Sequence, residues 1–94
     1  LEQQWAPDTT PEQYLTDLHN LVRQTGVQMA VYQGRDKRLY LGFLGKNNLL
    51  PERLGPKAEA HLWVLYTADY GTIVSGYQVS GVEAISLPAK VRWL

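Results

Sequence analysis

Cysteine is absent from the 94 residues, which removes disulfides, thiolate zinc sites and cysteine nucleophiles from the available chemistry. Histidine occurs only twice, as His19 and His61. Neither has a histidine or carboxylate at the i+2 or i+4 spacing of a recognised ligand set. Asp17 and His19, two apart on a helix, point to different faces. No metal and no cofactor is expected. The serines are Ser75, Ser80 and Ser86, in or beside strands, and no Gly-x-Ser-x-Gly elbow is present. Nucleophilic catalysis lacks raw material, and a non-catalytic role is expected. No window approaches roughly 18 consecutive apolar residues, so no stretch reads as a spanning helix and no membrane insertion is expected within this segment.

Net charge is missing too, because nine basic and nine acidic side chains cancel. A phosphate-binding protein usually carries a basic excess. Zero net charge disfavours colloidal solubility and fits a domain that normally sits in an assembly. Phenylalanine is scarce: tyrosine and tryptophan supply nine of the ten aromatics. Such side chains suit half-buried positions with one wet end, and interfaces.

What is present begins with a helix start. Thr10-Pro11-Glu12-Gln13 combines an N-cap threonine, proline at the first helical position, an acid at the positive end of the dipole and glutamine at the capping-box position. Tyr14, Leu15, Leu18, Leu21 and Val22 follow at helical spacing. The pattern predicts a helix over about 11–25, closed by Gly26 as its left-handed C′ residue. Val27, Met29 and Val31 then alternate with Gln28, Ala30 and Tyr32, Gly34 to Lys37 is turn chemistry, and Leu39, Leu41 and Phe43 alternate beyond it. This is a β-hairpin whose apolar rows should face the helix, since a lone hairpin is marginally stable. Pro51 begins one helical turn that Gly55-Pro56 stops. Lys57 to Ala60 is a short helix or the approach to a strand.

His61 to Thr67 reads as an interior strand, and Thr72 to Val79 as the next, across a turn at Ala68 to Gly71. Val82 to Leu87 is a fifth strand or extended run, Pro88 belongs on an edge or at a bulge, and Ala89 to Leu94 alternates again. Gly42-Phe43-Leu44-Gly45-Lys46 falls one residue short of a phosphate loop and lacks its Ser or Thr. It also carries apolar residues where a KH loop is solvated, so its glycines read as structural.

The expected fold class is α+β: a single domain over 1–94, with 1–9 a lead-in. One N-terminal helix packs as a two-layer sandwich on a four- to five-stranded, mainly antiparallel sheet. A second helix after Pro51 would make the order a circularly permuted ferredoxin-like fold. That order resembles the small extramembrane domains of pilus and secretion assembly proteins, a resemblance of element order that implies no site residue. Leu1 and the strand-like Val91 to Leu94 are what a domain excised from a longer chain would show.

Two surfaces stand out. Arg35-Asp36-Lys37-Arg38, flanked by Tyr32 and Tyr40 on the face opposite Val31 and Leu39, combines cations with aromatics as single-strand binders do; charged turns also guard sheet edges. The second surface joins Asp69 and Tyr70, at a turn tip, to Lys90 and Arg92 on an expected edge strand. A tyrosine there is folded back or offered to a partner. The expected function is a non-catalytic protein–protein interaction or assembly module, with a protein partner or a homo-oligomer, as an extramembrane domain of a multi-subunit complex would be. The alternative is a nucleic-acid-binding module using Tyr32, Arg35, Lys37, Arg38 and Tyr40.

If the helix starts at this cap, Thr10→Ala removes a hydrogen bond to an orphan amide and lowers stability by about 1 kcal/mol. Chemical denaturation measures it, and an unchanged midpoint would move the helix start elsewhere.

Overall fold

A computed structural model describes residues 3–69 and 71–94 of the chain. The helix, α1 (Pro11–Val22), begins at the expected cap: the Thr10 N–H donates to Gln13 Oε1 at 3.0 Å, and the Gln13 N–H donates to Thr10 Oγ1 at 3.1 Å. It ends three residues earlier than the periodicity suggests. The amides of Arg23 and Gln24 bond to the carbonyls of Asn20 and Leu21, three residues back, so the last turn tightens before β-branched Thr25. Gly26 does take a positive φ of 81°, but as the corner leading into the sheet.

The strands are β1 (Gln28–Gln33), β2 (Leu39–Lys46), β3 (His61–Thr67), β4 (Ile73–Val79) and β5 (Arg92–Trp93), in the order β4-β3-β2-β1-β5. Every pairing is antiparallel, and the first four strands form a meander. The architecture is therefore one helix on a five-stranded open antiparallel sheet. Where a ferredoxin-like permutation would place a second helix, the described residues form only a 3-10 turn, Pro51–Arg53. Val82 to Leu87 is no strand. It opens with another 3-10 turn, Val82–Ala84, and β5 further on takes the edge beside β1.

Pairing sets which residues share a face. One side carries Val31, Leu41, Phe43, Leu62, Val64, Tyr66, Gly76 and Gln78; the other carries Ala30, Gly42, Leu44, Trp63, Tyr77 and Val79. Helix α1 covers the first side, where Leu18 and Leu21, both fully buried, join Trp5, Leu62, Val64 and Tyr66. The Leu18 isobutyl group lies over Gly76 of β4, where an added Cβ would stand 2.5 Å from Leu18 Cδ1, and Leu41 of the central strand β2 is half-buried against the same cluster.

A second core lies on the far side. Ala30, Leu44, Trp63, Val79 and Ile85 pack there, with Leu87 and Val91 of the C-terminal segment laid against them. Gly42 is its keystone: the Trp63 ring occupies the space a side chain at 42 would need.

Residues 3–9 of the lead-in are tied down rather than loose. Trp5 is 6% exposed, makes an antiparallel bridge with Leu54, and donates its indole N–H to Asp17 Oδ2 at 3.2 Å. Arg53 Nε donates to the same oxygen at 3.2 Å. At the outer edge of β4, Gln4 Oε1 accepts from the Gln78 amide at 2.8 Å, and Gln4 Nε2 donates to the Gln78 carbonyl at 2.9 Å. The Tyr14 hydroxyl donates to the Gly76 carbonyl at 2.5 Å. Val74 is a bulge residue, because Ser75 pairs with Leu65 and Ile73 with Tyr66. Side chains and a bulge thus blunt this edge against pairing with another chain.

Because the rigid indole cannot yield to a methyl group, Gly42→Ala should cost about 1–3 kcal/mol by overpacking. Leu18→Ala should cost about 2–5 kcal/mol by cavity formation. Both are read as shifts in denaturation midpoint; a neutral Gly42→Ala would place Trp63 elsewhere.

Candidate functional site

The basic hairpin tip is built around its one acid. A bond from the Gly34 amide to the Arg38 carbonyl, 2.8 Å, closes the turn, and Lys37 adopts φ 64°. Asp36 Oδ1 accepts from the Arg38 amide at 3.1 Å, and Oδ2 accepts from the Tyr40 hydroxyl at 2.6 Å. Tyr32 and Tyr40 are direct cross-strand partners, stacked with centroids 5.6 Å apart and an interplanar angle of 28°. They lie on the face away from α1, as their alternation implies.

The structure therefore brings Tyr32, Tyr40, Arg35, Lys37 and Arg38 together at one end of the sheet, with the three cations exposed. It also commits part of the group internally. Tyr40 is bound by Asp36, the two rings spend a face on each other, and a cleft of about 450 Å³ between Tyr32, Arg35 and the Ser86 to Pro88 segment separates the tip from the C-terminal strap.

The second expected surface is not one patch. Asp69 follows β3, whereas Arg92 is in β5, with β2 and β1 between them. Lys90 and Arg92 are both exposed near the β5 edge. Tyr70 lies outside the described residues.

A third surface carries no motif. A helix is about 10 Å across and strands are spaced about 4.8 Å, so one helix roofs about two strands. On its side of the sheet α1 packs on β2 and β3, with Leu18 reaching β4. Among the described residues α1 makes no comparable contact with β1 or β5. Val31 of β1 and, next to it on β2, Leu41 and Phe43 are half-buried, and Leu39 is 52% exposed. Beside α1, over β2 and the end of β3, lies a groove of about 270 Å³ lined by Val22, Leu41, Phe43, Tyr66 and Gly71. Phe43 meets Tyr66 edge-on at 5.6 Å. The Tyr66 hydroxyl and His19 Nδ1 are hydrogen-bonded at 3.0 Å, and burial pushes the Tyr66 phenol above its ordinary range, with Arg23 opposing.

The groove was legible only as an inequality, since the sequence supplies one long amphipathic helix and strands enough for a sheet twice its width. Its walls offer apolar contact and one phenol. Among the described residues no group of three His, Asp or Glu is gathered at metal-binding distance, and no helix is long and apolar enough to cross a membrane. No protein-family model, no curated protein and no solved structure matches the chain.

The Asp36–Tyr40 bond makes a pH prediction. The Tyr40 hydroxyl, then the Arg38 amide, hold the Asp36 carboxyl below the usual carboxylate range. Reciprocally, the bond to Asp36 raises the Tyr40 phenol. A lowered acid stabilises the fold above the ordinary carboxylate range and loses that contribution as pH falls through its own pKa. A raised phenol contributes below the ordinary tyrosine range and loses it as pH rises through its own. Asp36→Asn should therefore shift the Tyr40 ring titration, followed by NMR, toward lower pH; an unmoved titration would mean that the bond does not persist in solution.

Proposed function

We propose that this domain is a non-catalytic protein–protein interaction or assembly module. One observation carries the reading: a row of apolar side chains, Val31, Leu39, Leu41 and Phe43, is left half-open on the helix side of the sheet. A sheet face of this kind is covered in a two-layer domain, and a contiguous apolar patch rimmed by polar residues marks an interaction site. The phenol that borders this row, Tyr66, is hydrogen-bonded to His19 Nδ1. Elsewhere Asp36 is tied to Tyr40, Asp17 to Trp5 and Arg53, and Gln78 to Gln4. The partner is a protein, or a second copy of the chain.

The nucleic-acid reading rests on the stacked Tyr32–Tyr40 pair beside three exposed cations. Against it stand zero net charge, the acid at the centre of the turn, and rings already stacked on each other.

Two variants decide between them. Leu39→Asp, at a position open enough to tolerate the change, should weaken capture of a protein partner isolated by cross-linking to this domain about tenfold, the effect of losing one hot-spot contact. Reversal of Arg35, Lys37 and Arg38 to glutamate should leave capture nearly unchanged. Single-strand binding is titrated with salt on the same preparations. A steep salt slope abolished by the triple reversal, with Leu39→Asp indifferent, would overturn the protein-binding reading.

A further inference from the structure

The open strip has dimensions, a charge pattern and a symmetry property that together select one occupant. Its width follows from the unequal layers: five strands spaced about 4.8 Å extend about 19 Å between outer axes, and α1 roofs about half of that. Because α1 itself packs on β2 and β3, the remainder is β1, the two-residue β5 and the β2 side chains Leu41 and Phe43 that line the groove beside the helix. Its floor is the row Val31–Leu41, with Met29–Phe43 beside it, and its wall is formed by Val22 and Tyr66. An extended segment would be a poor fit. The strip is a sheet face, whose backbone groups are already paired, and the neighbouring edge of β1 is occupied at Ala30 and Val31 by β5.

Each long margin carries an arginine. On the α1 side stands exposed Arg23, close enough to act on the Tyr66 phenol, beside exposed His19, which is hydrogen-bonded to Tyr66. On the far side stands exposed Arg92, directly across β5–β1 from Val31 and on the same face. Asp69, exposed in the β3–β4 turn, lies toward the Leu39 end, where the Ala68 amide bonds the Leu39 carbonyl at 2.9 Å.

These margins also disfavour a second copy. Two strips packed face to face would set arginine against arginine. Nor does another copy have a helix to offer: α1 is the one α-helix among the described residues, and its apolar stripe is buried against its own sheet.

Resting on the protein-binding reading above, we propose that the strip beside α1 receives an amphipathic helix of a partner protein. The apolar stripe of that helix lies on Val31, Leu41 and Phe43, and its acidic flanks pair with Arg23 and Arg92. The docked helix completes the helix layer, as helix-in-groove recognition does elsewhere. Apolar contact supplies the affinity, and the two cationic margins supply orientation and selection against basic helices.

The probes are two synthetic helical peptides of about 18 residues, long enough to run the length of β2. They carry the same leucine stripe, with glutamate flanks in one and lysine flanks in the other. Binding to the 15N-labelled 94-residue domain is followed by amide shifts and by fluorescence titration. The expected result is perturbation of Val22, Val31, Leu41, Phe43 and Tyr66, with the glutamate peptide binding about tenfold tighter than the lysine peptide, a gap of about 1.4 kcal/mol. The double variant Arg23→Glu with Arg92→Glu, at two exposed positions, should invert that preference while leaving the denaturation midpoint unchanged.

Equal binding of the two peptides, shifts confined to the Arg35 to Arg38 tip, or no binding by either peptide would overturn the docking proposal. Hydrogen exchange on the cross-linked native complex separates this failure from that of the broader reading. Protection along the strip supports both, protection at the β4 edge alone overturns the docked helix and leaves a protein-binding module, and a strand-binding result in the salt titration overturns both.

Discussion

The Trp63 indole laid over Gly42 is the contact on which the rest of this domain depends. Residues 62 to 64 of β3 are buried in succession, so that strand has no solvent side. A sheet with both faces apolar needs two covers, and a chain of 94 residues has one long helix to give. The solution on the far face is an aromatic ring sunk into a hollow left by the missing side chain, bringing the surface low enough for Ile85, Leu87 and Val91 of an irregular strap to close over it. Trp93 then stands 6.3 Å from Trp63 at the margin. Without the hollow the ring would stand proud of the sheet, and the strap, which lacks regular structure of its own, would have nothing flat to lie on.

The near face uses the same device with the roles reversed. Gly76 leaves the hollow, and Leu18 of α1 fills it. This draws the helix toward the β4 side, where Tyr14 and Gln4 also satisfy edge backbone groups. Anchoring the helix there has a consequence at the opposite margin: β1 and β5 are left unroofed. The open apolar strip is thus the remainder of a packing problem in which one helix-width of cover was placed off centre.

That remainder gives the protein-binding proposal its physical content. Burial of the area that half-buried Val31, Leu41 and Phe43 still expose supplies a driving force proportional to area, and the flanking cations Arg23 and Arg92 provide direction. The basic hairpin tip presents a contrast. Its cations are more numerous, but the carboxylate at its centre and the self-stacked tyrosines consume part of what a nucleic acid would need. Charges on a tight turn with an internal counter-charge are consistent with protecting the end of a hairpin from unwanted pairing.

Local features were determined by the sequence because their causes are local. The capping box needs only residues 10 to 13, the hairpin only two alternating runs and a turn, and both form where the pattern puts them. The facing of Tyr32 and Tyr40 away from Val31 followed from strand alternation alone. Three things were decided by the tertiary structure. Residues 3–9 of the lead-in, aperiodic by themselves, are ordered by hydrogen bonds to partners as distant as Gln78 and Arg53. The Val82 to Leu87 segment, apolar enough for a strand, instead packs Ile85 and Leu87 over the far face and serves as a cover. And the open strip has no signature in any single segment, because it exists only as the difference between the width of the assembled sheet and the width of the helix above it.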